Sequence, residues 1–260
     1  MNTTIALVTG AESGIGAACA AALAADGMDV AVLFFKDQQA ADATAASVTS
    51  AGRGAMTVKA DVSDEAAVEA AFDLVAARMG MPTILVNSAG RNQSGVAVAD
   101  MTTAQWRGLL GSDLSGPFLT SRRFVQNLRS AKSPGKIINI SSIHATDVRA
   151  GAADYCAAKG GLKKLTETMA LECAALGITV HAIAPGLILT PMNGRALSDA
   201  TYRKSLEADV PLGRAGRPEE VAKLVAYLAS ADADYITGTT RTIDGGLYLL
   251  LAEGARLAWP

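Results

Sequence analysis

The chain has little of what would tie it to nucleic acid, a membrane or a metal ion. Its 260 residues carry 23 basic and 25 acidic side chains, a formal net charge of −2. That balance leaves no basic stripe for a phosphate backbone and no polybasic patch for a lipid surface, so neither partner is expected. Cysteine is scarce: Cys19, Cys156 and Cys173 are odd in number and stand at no metal-ligand spacing. This excludes a disulfide framework and a zinc site, and points to reduced thiols in a cytoplasmic protein. Cys156 has no neighbouring histidine in sequence to activate it as a nucleophile. Half of the residues are hydrophobic, yet long apolar runs are missing. The first, Ile5 to Val8, is four residues long with no basic lead, so no secretory leader is expected. Nothing approaches the ~18 apolar residues of a membrane span. Repeats, linkers and low-complexity tracts are absent as well. The length is too short for a nucleotide domain plus a substrate domain of comparable size, so one domain over 1–260 is expected.

What is present is an alternation of short apolar runs with longer amphipathic stretches, the pattern of a parallel sheet covered by helices on both faces. Seven strands are predicted, at Ile5–Val8, Val30–Phe35, Ala55–Ala60, Ile84–Val86, Lys136–Ile140, Thr179–Ala184 and Thr240–Ile243. Helices are predicted between them at Ile15–Ala25, Gln38–Ser50, Asp64–Met79, Ala104–Arg129, Tyr155–Leu176 and Pro218–Leu228. Boundary chemistry supports several of these. Ser63 can cap a helix whose first turn holds Asp64 and Glu65, and Pro218 starts one with Glu219 and Glu220 behind it. Gly177 suits a left-handed helix end, while Ser133, Pro134 and Gly135 mark a turn. The fold class is therefore α/β with a doubly wound sheet, whose ligands bind at the carboxyl ends of the strands.

Two motifs fall at those ends. Thr9, Gly10, Ala11, Glu12, Ser13, Gly14, Ile15 and Gly16 follow the first apolar run and open an Ala-rich helix. In that context glycines let backbone N–H groups and the helix's positive end meet a pyrophosphate. Ser142 stands thirteen residues ahead of Tyr155, and Tyr155 four ahead of Lys159, which places the last two on one helical face. A free phenol is only roughly 0.1% ionised at pH 7, so a proton-transferring Tyr needs a neighbouring cation. With these motifs the chain resembles a classical short-chain dehydrogenase/reductase over essentially its whole length.

The resemblance implies a single-domain Rossmann-type fold and an NAD(P)-dependent oxidoreductase acting on an alcohol or carbonyl. It implies that Tyr155 exchanges the substrate proton, Ser142 holds the substrate oxygen, and Lys159 acidifies Tyr155 and grips the nicotinamide ribose. It assigns Gly10, Ser13, Gly14, Ile15 and Gly16 to the phosphates, Asp61 and Val62 to the adenine, and Asn87, Ala89 and Gly90 to the end of the fourth strand. Ser88 replaces a more usual Asn there. Pro185, Gly186 and Thr190 match the loop beneath the nicotinamide, at the start of a substrate lid around 187–217. Asp113 occupies the place of an Asn that helps hold a proton-relaying water. It is expected as a catalytic member with a modified role, its charge pairing with Lys159; mere backbone contacts near Gly116 and Pro117 are the other reading.

Cofactor choice is expected at the end of the second strand. Phe34 stands in the place of the carboxylate that selects NAD, and Lys36 lies within reach of a 2′-phosphate. Asp37 opposes it, Glu12 and Ser13 supply no basic residue, and Lys36 also reads as a solvated turn charge. NADP(H) is expected to be preferred, with NAD(H) used as well. Gln93, His144 and Asn193 are the candidate substrate contacts. The segments Ser141–His144, Ala157–Gly161 and Lys164–Glu172 resemble bacterial glucose 1-dehydrogenases, and equally 3-oxoacyl thioester reductases. A non-catalytic nucleotide-binding protein is the opposing reading, with only Asp113 in its favour. The apolar segment Leu247–Leu251, continued by Ala252–Pro260 with Leu257 and Trp259, points to a homotetramer, as in the family.

Overall fold

The computed structural model describes residues 3–251; the apolar tail 252–260 lies outside the described residues. Seven strands form one parallel sheet in the order β3-β2-β1-β4-β5-β6-β7. They are β1 Ile5–Thr9, β2 Asp29–Phe34, β3 Ala55–Lys59, β4 Ile84–Asn87, β5 Gly135–Ile140, β6 Ile178–Pro185 and β7 Thr240–Ile243. The helices are α1 Gly14–Ala25, α2 Gln38–Ser50, α3 Glu65–Arg78, α4 Thr103–Leu110, α5 Gly116–Ala131, α6 Ala153–Cys173, α7 Gly194–Ser198, α8 Ala200–Glu207 and α9 Pro218–Ala229. The expected seven-stranded doubly wound sheet is present, and its central strands, such as β1 and β4, are buried apolar runs because both faces are covered, while the edge strands β3 and β7 are more polar.

Alternation along each strand divides the core in two. Ala6, Val8, Val30, Val32, Phe34, Val86, Ile138 and Ile183 pack with residues of α1, α2 and α9 on one face. Leu7, Leu33, Leu85, Ile137 and Val180 pack with Phe72 of α3, Phe124 and Leu128 of α5 and Met169 of α6 on the other. The small side chains of α1 let it lie close to the sheet. A Cβ on Gly16 would stand 2.2 Å from the carbonyl oxygen of Gly10, so glycine is required where that helix leaves the strand.

Three local expectations are corrected. Asp64, not Ser63, caps α3: its carboxylate accepts the N–H groups of Ala66 and Ala67, while Ser63 donates to Asp61. The helix expected over 104–129 is two helices joined by a π-helical turn at Gly111–Ser115. Pro117 explains the break, since it has no N–H for the carbonyl of Asp113 and its ring crowds that carbonyl. The long helix expected to run to Leu176 is α-helical only to Cys173, and its last turn tightens to a 3-10 helix before Gly177 takes φ +70° as foreseen.

Candidate active site

The strand order reverses between β1 and its two neighbours, β2 and β4, so the crevice opens at the carboxyl ends of these strands. The Gly-rich loop enters it from β1. Gly10 and Gly14 both adopt positive φ, +62° and +54°. A Cβ on Gly10 would stand 2.7 Å from the Cα of Ala89, so the loops after β1 and β4 touch through backbone alone. Thr9 locks the same junction, its hydroxyl accepting the N–H groups of Ser88 and Ala89 at 3.0 Å each. Gly14 faces Thr190, whose Cβ would lie 3.3 Å from a Cβ added there, so the loop after β6 reaches the same place. Gly186 packs against Asp244 beyond β7, and Pro185 is buried at the end of β6. Ser13 makes no capping bond to α1 and Ile15 is half-buried against the core. The N–H groups of the first turn and the positive end of the helix are thus presented to the crevice.

The proton-transfer side chains come together at the end of β5. Ser142 is buried and its hydroxyl accepts the N–H of His144 at 3.1 Å. Tyr155 and Lys159 lie on the first turns of α6, with the Lys159 ammonium 5.4 Å from the Tyr155 ring centre. Lys159 is buried, and its Nζ donates to the carbonyl of Ile140 at 3.1 Å. That carbonyl, the last of β5, is a partner that no sequence motif announced.

Asp113 closes the cluster from the π-helical turn. Its Oδ2 stands 3.2 Å from Lys159 Nζ, with both side chains almost wholly buried. The distance suits a hydrogen bond but the alignment does not, so the contact is chiefly coulombic. Its Oδ1 accepts the N–H of Arg91 at 2.8 Å and the hydroxyl of Ser112 at 2.6 Å. Both arrangements considered from sequence therefore coexist: one oxygen makes backbone contacts and the other faces lysine. Gly90 is what permits this, because a Cβ there would fall 2.7 Å from Asp113 Oδ2. Burial pushes the Lys159 ammonium down, but the Asp113 charge and then Tyr155 outweigh it, and the net direction is up.

Other candidates take structural places. Asn87 was expected both among the cofactor-binding residues and as a support of the central strand. Its side chain makes the supporting contacts: it donates to Ser121 and Asn139 and accepts from Thr120, while Asn139 donates on to Thr166. Phe34 is 1% exposed and points into the core, because its strand position faces α1 and α2. Val62 is buried against Gly116 of α5, and Asp61 is turned to Ser63. Asn193 gives its amide to the carbonyl of Ile188 at 2.7 Å and so shapes the loop after β6. His144 is brought beside Tyr155, ring centres 6.1 Å apart, with its Nδ1 3.7 Å from Asp147. Gln93 is half-buried in the loop after β4, and Lys36 is exposed at the end of β2.

The three cysteines are free. Burial pushes the Cys19 thiol up to about 12, and burial followed by Glu172 raises that of Cys173. Among the described residues no cluster of His, Cys, Asp or Glu is disposed to hold a metal ion, and no helix is long and apolar enough to cross a membrane.

A nucleotide crevice beside a buried lysine and a tyrosine on one helical face defines a dinucleotide-dependent oxidoreductase. Comparison with known proteins bears this out. The family model described as enoyl-(acyl carrier protein) reductase matches residues 10–248. The 3beta-hydroxysteroid dehydrogenase 1 of Eggerthella lenta is 40% identical over 94% of this chain and 93% of its own length. Glucose 1-dehydrogenase 2 of Bacillus subtilis is 35% identical over 94% of each chain. The 3-oxoacyl-(acyl-carrier-protein) reductase of Escherichia coli is 39% identical over 95% of this chain and 98% of its own. Among solved structures, acetoin dehydrogenase from Enterobacter cloacae superposes with a TM-score of 0.88 at 35% identity, covering 97% of this chain and 98% of that one. A gluconate 5-dehydrogenase from Burkholderia cenocepacia, in complex with NADP and tartrate, gives 0.87 at 32% identity, covering 95% and 96%. The chain belongs to the short-chain dehydrogenase/reductase family. It is an oxidoreductase of alcohol and ketone groups that uses a nicotinamide cofactor.

Proposed function

We propose that this chain interconverts a secondary alcohol, or a sugar hydroxyl, and the matching carbonyl through Tyr155, with NADP(H) preferred and NAD(H) accepted. The observation that carries the reading is the buried Lys159 ammonium, 5.4 Å from the Tyr155 ring and held between Ile140 and Asp113. Tyr155 gives or takes the proton of the substrate oxygen at its phenolic hydroxyl. Ser142 holds that oxygen, and Lys159 favours the phenolate by its charge. The bound nicotinamide supplies the hydride donor or acceptor. Gly10, Gly14, Ile15, Gly16 and Ser13 would hold its phosphates, with Ala89, Gly90, Pro185, Gly186 and Thr190 around the crevice.

The substrate proposed first is a hydroxyl on a ring, a feature shared by the steroid and glucose named for two relatives. His144 and Gln93 offer polar contacts, while Val148, Met192 and Leu197 of α7 expose apolar surface on the segments that follow the strand ends, the last two in the proposed lid around 187–217. The second reading is reduction of a 3-oxoacyl thioester, supported by the Escherichia coli relative. The NADP preference is supported by the missing carboxylate at the end of β2 and by exposed Lys36, and by the NADP named in one structural relative. A cytoplasmic location agrees with three free thiols.

The test is a panel of aldoses, cyclic alcohols, ketones and 3-oxoacyl thioesters with both cofactors, with Tyr155→Phe as control. Turnover of a ring alcohol or sugar, lowered at least about a hundredfold in Tyr155→Phe, is expected. Turnover of thioesters alone selects the second reading, and activity retained in Tyr155→Phe rejects both.

A further inference from the structure

We infer that Glu12 sets selectivity at the adenosine end of the crevice, accepting ribose hydroxyls and repelling a 2′-phosphate, so that it limits the NADP preference and sustains NAD use. The inference rests on the nicotinamide-dependent reading proposed above. Strand β2 ends at Phe34, whose ring is in the core, so this last strand residue offers no side chain to a ribose. The Gly-rich loop fills that place from β1. Ala11 N–H donates to the carbonyl of Leu33 at 3.1 Å, which ties the loop to β2. One residue on, Glu12 Oε1 accepts the N–H of Phe35 at 3.3 Å. The carboxylate is thereby anchored at the end of β2 by one oxygen. The other, Oε2, is shielded from solvent and has no hydrogen-bond partner among the described residues.

The neighbouring carboxylates are committed elsewhere. Asp37 caps α2, accepting the N–H of Ala40 at 2.9 Å, and Asp61 accepts from the backbone and hydroxyl of Ser63. Lys36 is exposed, its ammonium 5.7 Å from the Phe35 ring centre, and makes no ion pair with Glu12 among the described residues. A shielded carboxylate oxygen without a donor is costly. A ribose 2′,3′-diol brings two O–H donors to such an oxygen. A 2′-phosphate brings only acceptors and like charge, which is repelled more strongly away from water.

The experiment is titration calorimetry with the wild-type chain, Glu12→Gln and Glu12→Ser, using 5′-AMP and 2′,5′-ADP as probes and NAD⁺ and NADP⁺ in parallel. Gln retains an oxygen for the Phe35 N–H and removes only the charge; Ser removes the side chain's reach as well. In both variants the affinity ratio should move toward the 2′-phosphorylated ligand by about tenfold, equivalent to about 1.4 kcal/mol, with matching unfolding curves for Glu12→Gln. A ratio within about twofold of wild type in both variants overturns the role of Glu12 while leaving nucleotide binding intact. A wild-type chain that binds none of the four ligands overturns the nucleotide-binding reading and this inference with it.

Discussion

The Oδ2 of Asp113 faces the Nζ of Lys159 across 3.2 Å in the interior, so the cation beside Tyr155 is partly neutralised by a carboxylate on a different helix segment. Two charges buried together cost solvation that their attraction and further hydrogen bonds must offset. Here Arg91 N–H, Ser112 Oγ and the Ile140 carbonyl provide those bonds.

Asp113→Asn separates charge from shape, since an amide oxygen still accepts the Arg91 N–H. Without the carboxylate, burial dominates and the Lys159 pKa falls. In the wild type the raised pKa stabilises the fold at pH below the usual 10.5, and that contribution is lost as pH rises through the raised folded value. The variant should therefore unfold at lower alkaline pH. The pH at which kcat/KM rises should also fall, with peak activity changed by less than about tenfold, because Lys159 then acts on Tyr155 unopposed. Unmoved pH profiles of both rate and stability would show that Asp113 acts only through its backbone contacts.

Asn87→Ala removes the hub of the buried network to Ser121, Asn139 and Thr120. Polar groups left without partners cost about 1–3 kcal/mol each when they cannot reach water. A loss of about 2–4 kcal/mol in urea unfolding is expected, with cofactor affinity in the surviving folded protein within about threefold of wild type. A large loss of affinity at unchanged stability would return Asn87 to the cofactor site.

His181, buried in β6, supplies a pH dependence far from the crevice. Its Nε2 meets Thr179 Oγ1 at 3.0 Å and its Nδ1 has no partner among the described residues. Burial, then the charges of Lys136 and Arg241, push the imidazole down to about 4 from 6.5. A depressed histidine means that the unfolded chain binds the proton first, so stability falls as pH drops from 6.5 toward 4, by on the order of 3 kcal/mol at most. Melting temperatures between pH 7 and 4 should fall less steeply in His181→Gln than in the wild type. Parallel curves would assign the acid sensitivity to other groups.

Assembly as a homotetramer is expected from apolar surface on several elements. Phe118 of α5, Leu171 of α6 and Tyr235 before β7 are exposed, Leu171 to 83%. Side chains of this size on helix and loop surfaces favour symmetric burial. Sedimentation at micromolar concentration should give a tetramer, and Leu171→Glu should shift it toward smaller species; a wild-type monomer would count against this.

What the sequence determined by itself is whatever depends on near neighbours in the chain. Apolar runs marked the central strands, because a strand buried on both faces must be apolar throughout, whereas the edge strands β3 and β7 carry Lys59 and Arg241 and are only partly buried. Spacing of four put Tyr155 and Lys159 on one face, because a helix turns every 3.6 residues. Gly10, Gly14 and Gly16 declared a turn that tolerates no Cβ. The break before Pro117 was passed over in a helix read straight through 104–129, and packing settled the π-helical turn that absorbs it. The Asp64 cap was missed in favour of Ser63 because either side chain can cap, and only the path of the chain chooses. The rest required the sheet to assemble. Asp113 reaches Lys159 because α6 packs behind β5 and the π-helical turn lies beside it. Glu12 reaches the Phe35 N–H because β1 and β2 are neighbours. Asn87 meets Asn139 because β4 pairs with β5 in register. Phe34, aligned by counting with a ligand-facing position, turned inward because its strand face meets α1 and α2. The Asp113, Glu12 and Asn87 contacts join residues more than 20 apart in sequence, where local propensity carries no information and burial with hydrogen-bond satisfaction decides.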